Sequence, residues 1–256
     1  MPDNALWLGV SWGKAHTNFK LNTMIASTHE LSNNHSNPNC AKPLLGDCAG
    51  FQSDVYLMDC IEGMKHYPDK YFNLAVVDPP YGININHSMG RRKGDKKSNY
   101  KPADWDNKPP PMEYFYELFR VSKNQIVWGA NHFISRMPYD SSCWLMWDKK
   151  FSDDVSFAQY EMAWTSLSGT CKKFDKHPTQ QNRIHLTQKP ISLYDWIFNK
   201  YATEGMKILD THLGSGSSRI SANKANLHFY GFELDHDHFN NQNKRYNDFV
   251  SQVRLF

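Results

Sequence analysis

A single α/β domain with a mostly parallel sheet is the fold this sequence predicts, on two observations. Short apolar runs alternate with amphipathic stretches along most of the chain, the pattern that lays strands side by side and packs helices over them. Two of those runs, Leu74-Ala75-Val76-Val77 and Ile208-Leu209, end in an acid followed by a chain-turning segment: Asp78-Pro79-Pro80-Tyr81-Gly82 and Asp210-Thr211-His212-Leu213-Gly214-Ser215-Gly216. In open α/β sheets ligands sit beyond the carboxyl ends of the strands, so both turns are candidate site elements. The 256 residues suffice for one substantial domain and hardly for two.

Composition narrows the class. The formal net charge is +3, which permits a polyanionic partner without requiring one. No stretch approaches the ~20 apolar residues of a membrane span, and the N-terminus lacks the basic and apolar regions of a signal peptide. The five cysteines (Cys40, Cys48, Cys60, Cys143, Cys171) are scattered, odd in number and without a C-x-x-C pair. Reduced thiols in a cytoplasm are expected, with neither a disulfide frame nor a metal site.

Residues 1–50 are rich in Asn, Ser and His and poorly periodic, and read either as an appended small element held by Trp7 and Trp12 or as disorder. Asp54 to Cys60 is a strand candidate, Ile61 to Tyr67 a short helix, and Asp59 between them either binds a ligand or caps that helix. Leu74–Val77 is a buried strand. Two consecutive prolines then remove backbone donors, so Asp78–Tyr81 offers a carboxylate, rigid carbonyls and an aromatic face to a cleft. A polar span follows to Glu113, with Arg91, Arg92, Lys93, Lys96 and Lys97 beside Tyr100 and Trp105. Cations interleaved with aromatics suit a phosphate backbone with an unstacked base nearby, and a solvated charge run is the alternative.

Met112 to Ser122 has helical spacing with a core stripe, and Gln125–Trp128, Cys143–Trp147 and Glu161–Trp164 read as strands. A second basic span, 167–186, contains Lys172 and Lys173 and reads as another loop suited to a phosphate backbone. Thr187-Gln188-Lys189-Pro190 opens a helix to about Tyr201. Past Gly216 a dinucleotide fingerprint would place a small residue where Arg219 stands, which argues against NAD. Phe229 to Asp235 is a last strand, and Glu233 has about the spacing of an acid that grips a ribose diol.

The ordered set DPPY, TQKP, the glycine turn and the acid-ended strand resembles the S-adenosylmethionine-dependent DNA amino-methyltransferases, in the permuted order with the catalytic motif before the glycine motif. The resemblance spans roughly Asp54 to Tyr246. It implies a Rossmann-like, circularly permuted fold whose mostly parallel sheet has seven strands, one of them antiparallel. It implies a catalytic set of Asp78, Pro79, Pro80 and Tyr81. For the cofactor it implies Asp59, Cys60, Asp78, Lys189, Asp210, His212, Leu213, Gly214, Ser215, Gly216, Ser217, Glu233 and Leu234. Asp59 and the Cys60 N–H would meet the adenine, and Lys189 the methionine carboxylate. Leu186 stands where relatives usually have Pro, and Thr211-His212 where they often have Pro-Phe.

An adenine N6 lone pair is delocalised into its ring. Two acceptors, Asp78 and the Pro79 carbonyl, would draw that nitrogen toward tetrahedral geometry, while Tyr81 stacks on a base flipped from double-stranded DNA. No metal is required. Asp rather than Ser at position 78 favours adenine over cytosine N4; relatives that methylate glutamine usually carry Asn there. A catalytically idle cofactor- or DNA-binding module is the non-enzyme alternative. A homodimer and a cognate restriction endonuclease are the protein partners left open.

Overall fold

The computed structural model describes residues 51–84, 106–153, 158–178, 183–185 and 187–253. The N-terminal extension expected over residues 1–50 lies outside them.

Eight strands form one sheet: β1 (Ser53–Leu57), β2 (Phe72–Val77), β3 (Ser122–Trp128), β4 (Trp144–Asp148), β5 (Tyr160–Thr165), β6 (Lys172–Asp175), β7 (Lys207–Asp210) and β8 (His228–Glu233). Their order across the sheet is β1-β8-β7-β2-β3-β5-β4-β6. All pairings are parallel except those of β5, which runs against both β3 and β4. Helices α1 (Cys60–Lys65) and α2 (Met112–Val121) contribute Met64, Tyr114, Phe115 and Leu118 to the core on one face. On the other face α3 (Ile191–Tyr201) and α4 (Ser217–Lys224) contribute Leu193, Ile197, Phe198 and Ala222. Strands covered on both faces need apolar side chains in every direction. Leu74, Ala75, Val76 and Val77 of β2 are accordingly all buried.

The sheet has one strand more than the seven expected. The additional strand, β6, lies in the span read from sequence as a basic loop. Its backbone pairs with β4 at the sheet edge, and Phe174 packs on Trp196 with ring centroids 5.6 Å apart. One apolar residue among lysines gives too weak an alternation to mark a strand in the sequence. The start of α3 also differs: the helix begins at Ile191, with Pro190 as an extended cap at ψ 142°, and Thr187–Lys189 lie before it. A residue preceding proline is held away from helical geometry by the pyrrolidine ring, which keeps Lys189 out of the helix.

Arg219, the residue that breaks a dinucleotide fingerprint, is buried between α4 and the last helix, α5 (His236–Val253). Its guanidinium lies 3.8 Å from the Tyr246 ring centre and hydrogen-bonds Ser53, Gln242 and Asn243. Burial lowers its pKa to about 10, which still leaves the cation intact at neutral pH. This arginine ties α4 and α5 to β1.

Register fixes what the fold does for the site. Ala75 of β2 pairs with Leu209 of β7, so Asp78 and Asp210, far apart in sequence, leave adjacent strands at the centre of the sheet. That is where the strand order changes direction, the place where α/β sheets bind ligands.

Candidate active site

The turn after β2 is fixed by contacts from two distant segments. Asp106, buried, accepts through one carboxylate oxygen from the backbone N–H of Tyr81 (2.8 Å) and of Gly82 (2.9 Å). On the other side Gly129, just past β3, has φ +70°, and a Cβ there would come within 2.0 Å of the Tyr81 ring. The position thus requires glycine twice over, for its left-handed backbone and for the ring beside it. His132, in the 3₁₀ turn Ala130–His132, stacks on Tyr81 with centroids 5.2 Å apart and planes 16° from parallel. Asn131 sits exposed in that same turn.

Asp78 belongs to a cluster of charges. The Lys189 ammonium, whose side chain is 3% exposed, stands 2.6 Å from Asp78 Oδ2 and 2.9 Å from Glu161 Oε2. It also donates to the Tyr81 hydroxyl (3.1 Å), which donates in turn to Asp78 Oδ1 (2.7 Å). Lys149 closes the cluster at 2.6 Å from Glu161 Oε1. Burial opposes each charge. For Lys189 the two carboxylates outweigh it, so its pKa stands above the ordinary lysine value. For Glu161 the two lysines outweigh it and bring the carboxyl down to about 2. For Asp78 burial prevails and raises the pKa, with Glu161 adding to the rise and Lys189 and Tyr81 opposing it.

Beside this cluster the glycine turn leaves β7. Gly214 and Gly216 adopt φ +48° and +68°, and α4 begins directly after Gly216. Asp210 stabilises the turn, accepting from the His212 N–H (3.1 Å) and the Ser218 hydroxyl (2.5 Å). Burial pushes its carboxyl up to about 7. Glu233, at the end of β8, accepts from the N–H groups of Gly214 (2.8 Å), Leu234 and Asp235 (both 3.0 Å). The Ser215 and Ser217 hydroxyls meet at 3.1 Å and Arg245 spans both residues.

A cavity of about 550 Å³ opens over these strand ends, lined by Asp59, Cys60, Ile61, Pro80, Pro109, Tyr114, Arg136 and His212, among others. Its size is that of a small-molecule site. Asp59 Oδ1 caps α1 by accepting from the N–H groups of Ile61 and Glu62. Burial holds the Cys60 thiol up at about 12 and so protonated. Burial also lowers His212 to about 4, a neutral imidazole edge-on to Tyr114. Tyr114 is fixed by a 2.7 Å bond to Thr211.

The structure thus gathers Asp59, Cys60, Pro80 and His212 round one cavity, with the Asp210–Gly216 turn and Glu233 bonded together beside it. Leu213 is buried, whereas Leu234 is 72% exposed. Lys189 has its ammonium on Asp78 and Glu161, not at the glycine turn. Arg91, Arg92, Lys93, Lys96 and Lys97 lie outside the described residues. Lys172 and Lys173 sit on β6 rather than on a loop, and Lys173 is paired with Asp148 (3.4 Å) and Asp175 (3.0 Å). Among the site residues that escaped the sequence are Glu161, Asp106 and Gly129. Of these only Gly129, following a strand, carried a local signal, that of a turn.

Comparison with known proteins agrees with this arrangement. The N6/N4 methyltransferase family model, described as DNA methylase, matches residues 146–244. YubD of Escherichia coli (strain K12) is 24% identical over 193 residues, covering 69% of this chain and 82% of that protein. The type II methyltransferase M2.MboI of Moraxella bovis is 22% identical, covering 80% and 93%. Among solved structures, the complex of M1.HpyAVI with SAM superposes with a TM-score of 0.51 at 17% identity, covering 77% of this chain and all of that one, a likeness of fold. In its motif order, its sheet and these matches, the chain is similar to the DNA amino-methyltransferases.

Proposed function

We propose that the protein is a site-specific DNA methyltransferase that places a methyl group on the N6 amino group of an adenine flipped out of double-stranded DNA. The observation that carries this reading is the position of Asp78–Tyr81 at the end of the central strand, next to the glycine turn and the cavity. S-adenosylmethionine is the family's methyl donor, and the donor set fits it: a cavity of nucleoside size, an acid at each of three strand ends, and a turn whose glycines allow close approach. Asp59 and the Cys60 N–H would take its adenine, Glu233 its ribose hydroxyls, and Asp210 to Ser217 its amino-acid end. Bound there, it supplies an electrophilic methyl carbon whose bond to sulfur breaks with the electron pair left on sulfur.

The chain's own residues do the rest. Asp78 and the Pro79 carbonyl accept from the two amino hydrogens, which localises the nitrogen lone pair for attack. Tyr81 offers its ring to the extruded base, and stacking of this kind is worth about 1–3 kcal/mol per base. After transfer the nitrogen gives up one proton. The same amino chemistry would serve cytosine N4. Asp at position 78 favours adenine, and as relatives include a type II methyltransferase, a cognate endonuclease is part of this reading.

Incubating the protein with a labelled methyl donor and DNA of mixed sequence, then separating the digested nucleosides, tests the proposal. N6-methyladenine is the expected product. N4-methylcytosine would overturn the choice of base, and no labelled nucleoside the reading as a whole.

A further inference from the structure

The Asp78 carboxylate is engaged on both oxygens, by the Tyr81 hydroxyl on Oδ1 and by the Lys189 ammonium on Oδ2. A carboxylate neutralised by an ammonium 2.6 Å away is a weaker acceptor for an incoming amine than a free one. Something must therefore take a share of that ammonium. Glu161 stands on its other side at 2.9 Å, and no motif points to it. Its position follows from strand direction. Among the described strands β5 alone runs antiparallel, so its first residues, Tyr160 and Glu161, lie at the end of the sheet where the parallel strands finish.

We propose that Glu161 is a positioning residue for methyl transfer: it draws the Lys189 ammonium away from Asp78 as the target amine arrives, leaving the Asp78 carboxylate to accept from that amine. The inference rests on the function proposed above. Charge balance supports it. Asp78 and Glu161 face Lys189 and Lys149, two negative charges against two positive. Lys149 is already on the far oxygen of Glu161, so the Glu161 carboxylate accepts a second ammonium without moving. An arriving amine needs only a small displacement of Lys189 along the line from one carboxylate to the other. A buried ammonium cannot otherwise leave its counter-ion at acceptable cost, because an unpaired charge in this setting is strongly disfavoured.

The variant E161Q keeps the shape of the side chain and removes its charge, leaving Asp78 as the one carboxylate at the Lys189 ammonium. Single-turnover methyl transfer should fall roughly 10- to 100-fold, the scale of one misdirected charge-assisted hydrogen bond. Donor affinity measured by calorimetry should stay within about twofold. A second reading needs no turnover. The groups around Asp78 are Tyr81, Lys189 and Glu161, with Asp210, Tyr114 and Tyr194 within range of its charge. Removing the Glu161 charge removes a repulsion, so the Asp78 carboxyl, followed by ¹³C NMR in the donor-free protein, should titrate at lower pH in E161Q. E161D restores the charge and should keep most of the rate, and it carries the test if E161Q does not fold.

Wild-type rate in E161Q with an unchanged Asp78 titration overturns the proposal. Equal loss of donor affinity and melting temperature in E161Q and E161D also overturns it, since that would make Glu161 structural only. A wild-type protein that methylates no DNA would instead refute the proposed function, and the NMR titration would still test the coupling of Glu161 to Asp78.

Discussion

Asp106 shows how a single side chain can shape the turn of a candidate site through its backbone. Its Oδ1 holds two consecutive backbone N–H groups, at Tyr81 and Gly82, in a segment where prolines leave few other donors. Hydrogen bonds to a charged acceptor contribute about 1.5–3 kcal/mol each, so losing both in Asp106→Ala should destabilise the protein by roughly 3–6 kcal/mol and disorder the turn. Asp106→Asn keeps the accepting oxygen and should lose less than half of that. Urea unfolding of the two variants measures the difference, and an alanine variant as stable as the wild type would remove Asp106 from this role. Residue type gave no warning of it. The acid sits in a span whose visible feature is its lysines and arginines, and its partners lie 24 and 25 residues away.

At the scale of elements, the glycine turn carries a pH dependence. The Asp210 carboxyl has an ordinary pKa of 3.8 and is pushed up to about 7 by burial, so the native state binds this proton more tightly than the unfolded chain. Stability from this group is fully present below about pH 4 and is lost as the pH rises through about 7. The donor-free protein should therefore melt at falling temperature across that window. Asp210→Asn, which retains an acceptor for the His212 N–H, should flatten the curve; identical profiles would assign the dependence elsewhere. The strands bearing the motifs were legible because each is a continuous apolar run closed by an acid and a proline or glycine, a pattern that needs no tertiary information. What the sequence hid depends on tertiary contact. β6 becomes a strand only because β4 offers it an edge, and Lys173 is neutralised only because Asp148 and Asp175 come alongside. Lys189 meets Asp78 and Glu161 for a similar reason, since the three leave separate elements that only the folded sheet brings together.

For the whole molecule, the cations on β6 give a test of the proposed DNA path. Lys173 faces two carboxylates, whereas Lys172 reaches only the Thr170 hydroxyl among the described residues. Lys172→Gln should then flatten the salt dependence of DNA binding by up to about 0.9 in log–log slope, and Lys173→Gln by much less. Equal slopes in both variants and the wild type would take this edge out of the DNA path. The strand order has a consequence for synthesis as well. β2, which carries Asp78, can pair early with β3, but its other neighbour, β7, begins at Lys207, and β1 waits for β8 to reach the sheet at all. On the ribosome Asp78 is made well before the glycine turn and stays without it until β7 and the residues after it have followed. A polypeptide that stops short of Lys207 therefore holds the Asp78–Tyr81 tetrad without the turn beside it, and on the function proposed above it could not hold the methyl donor.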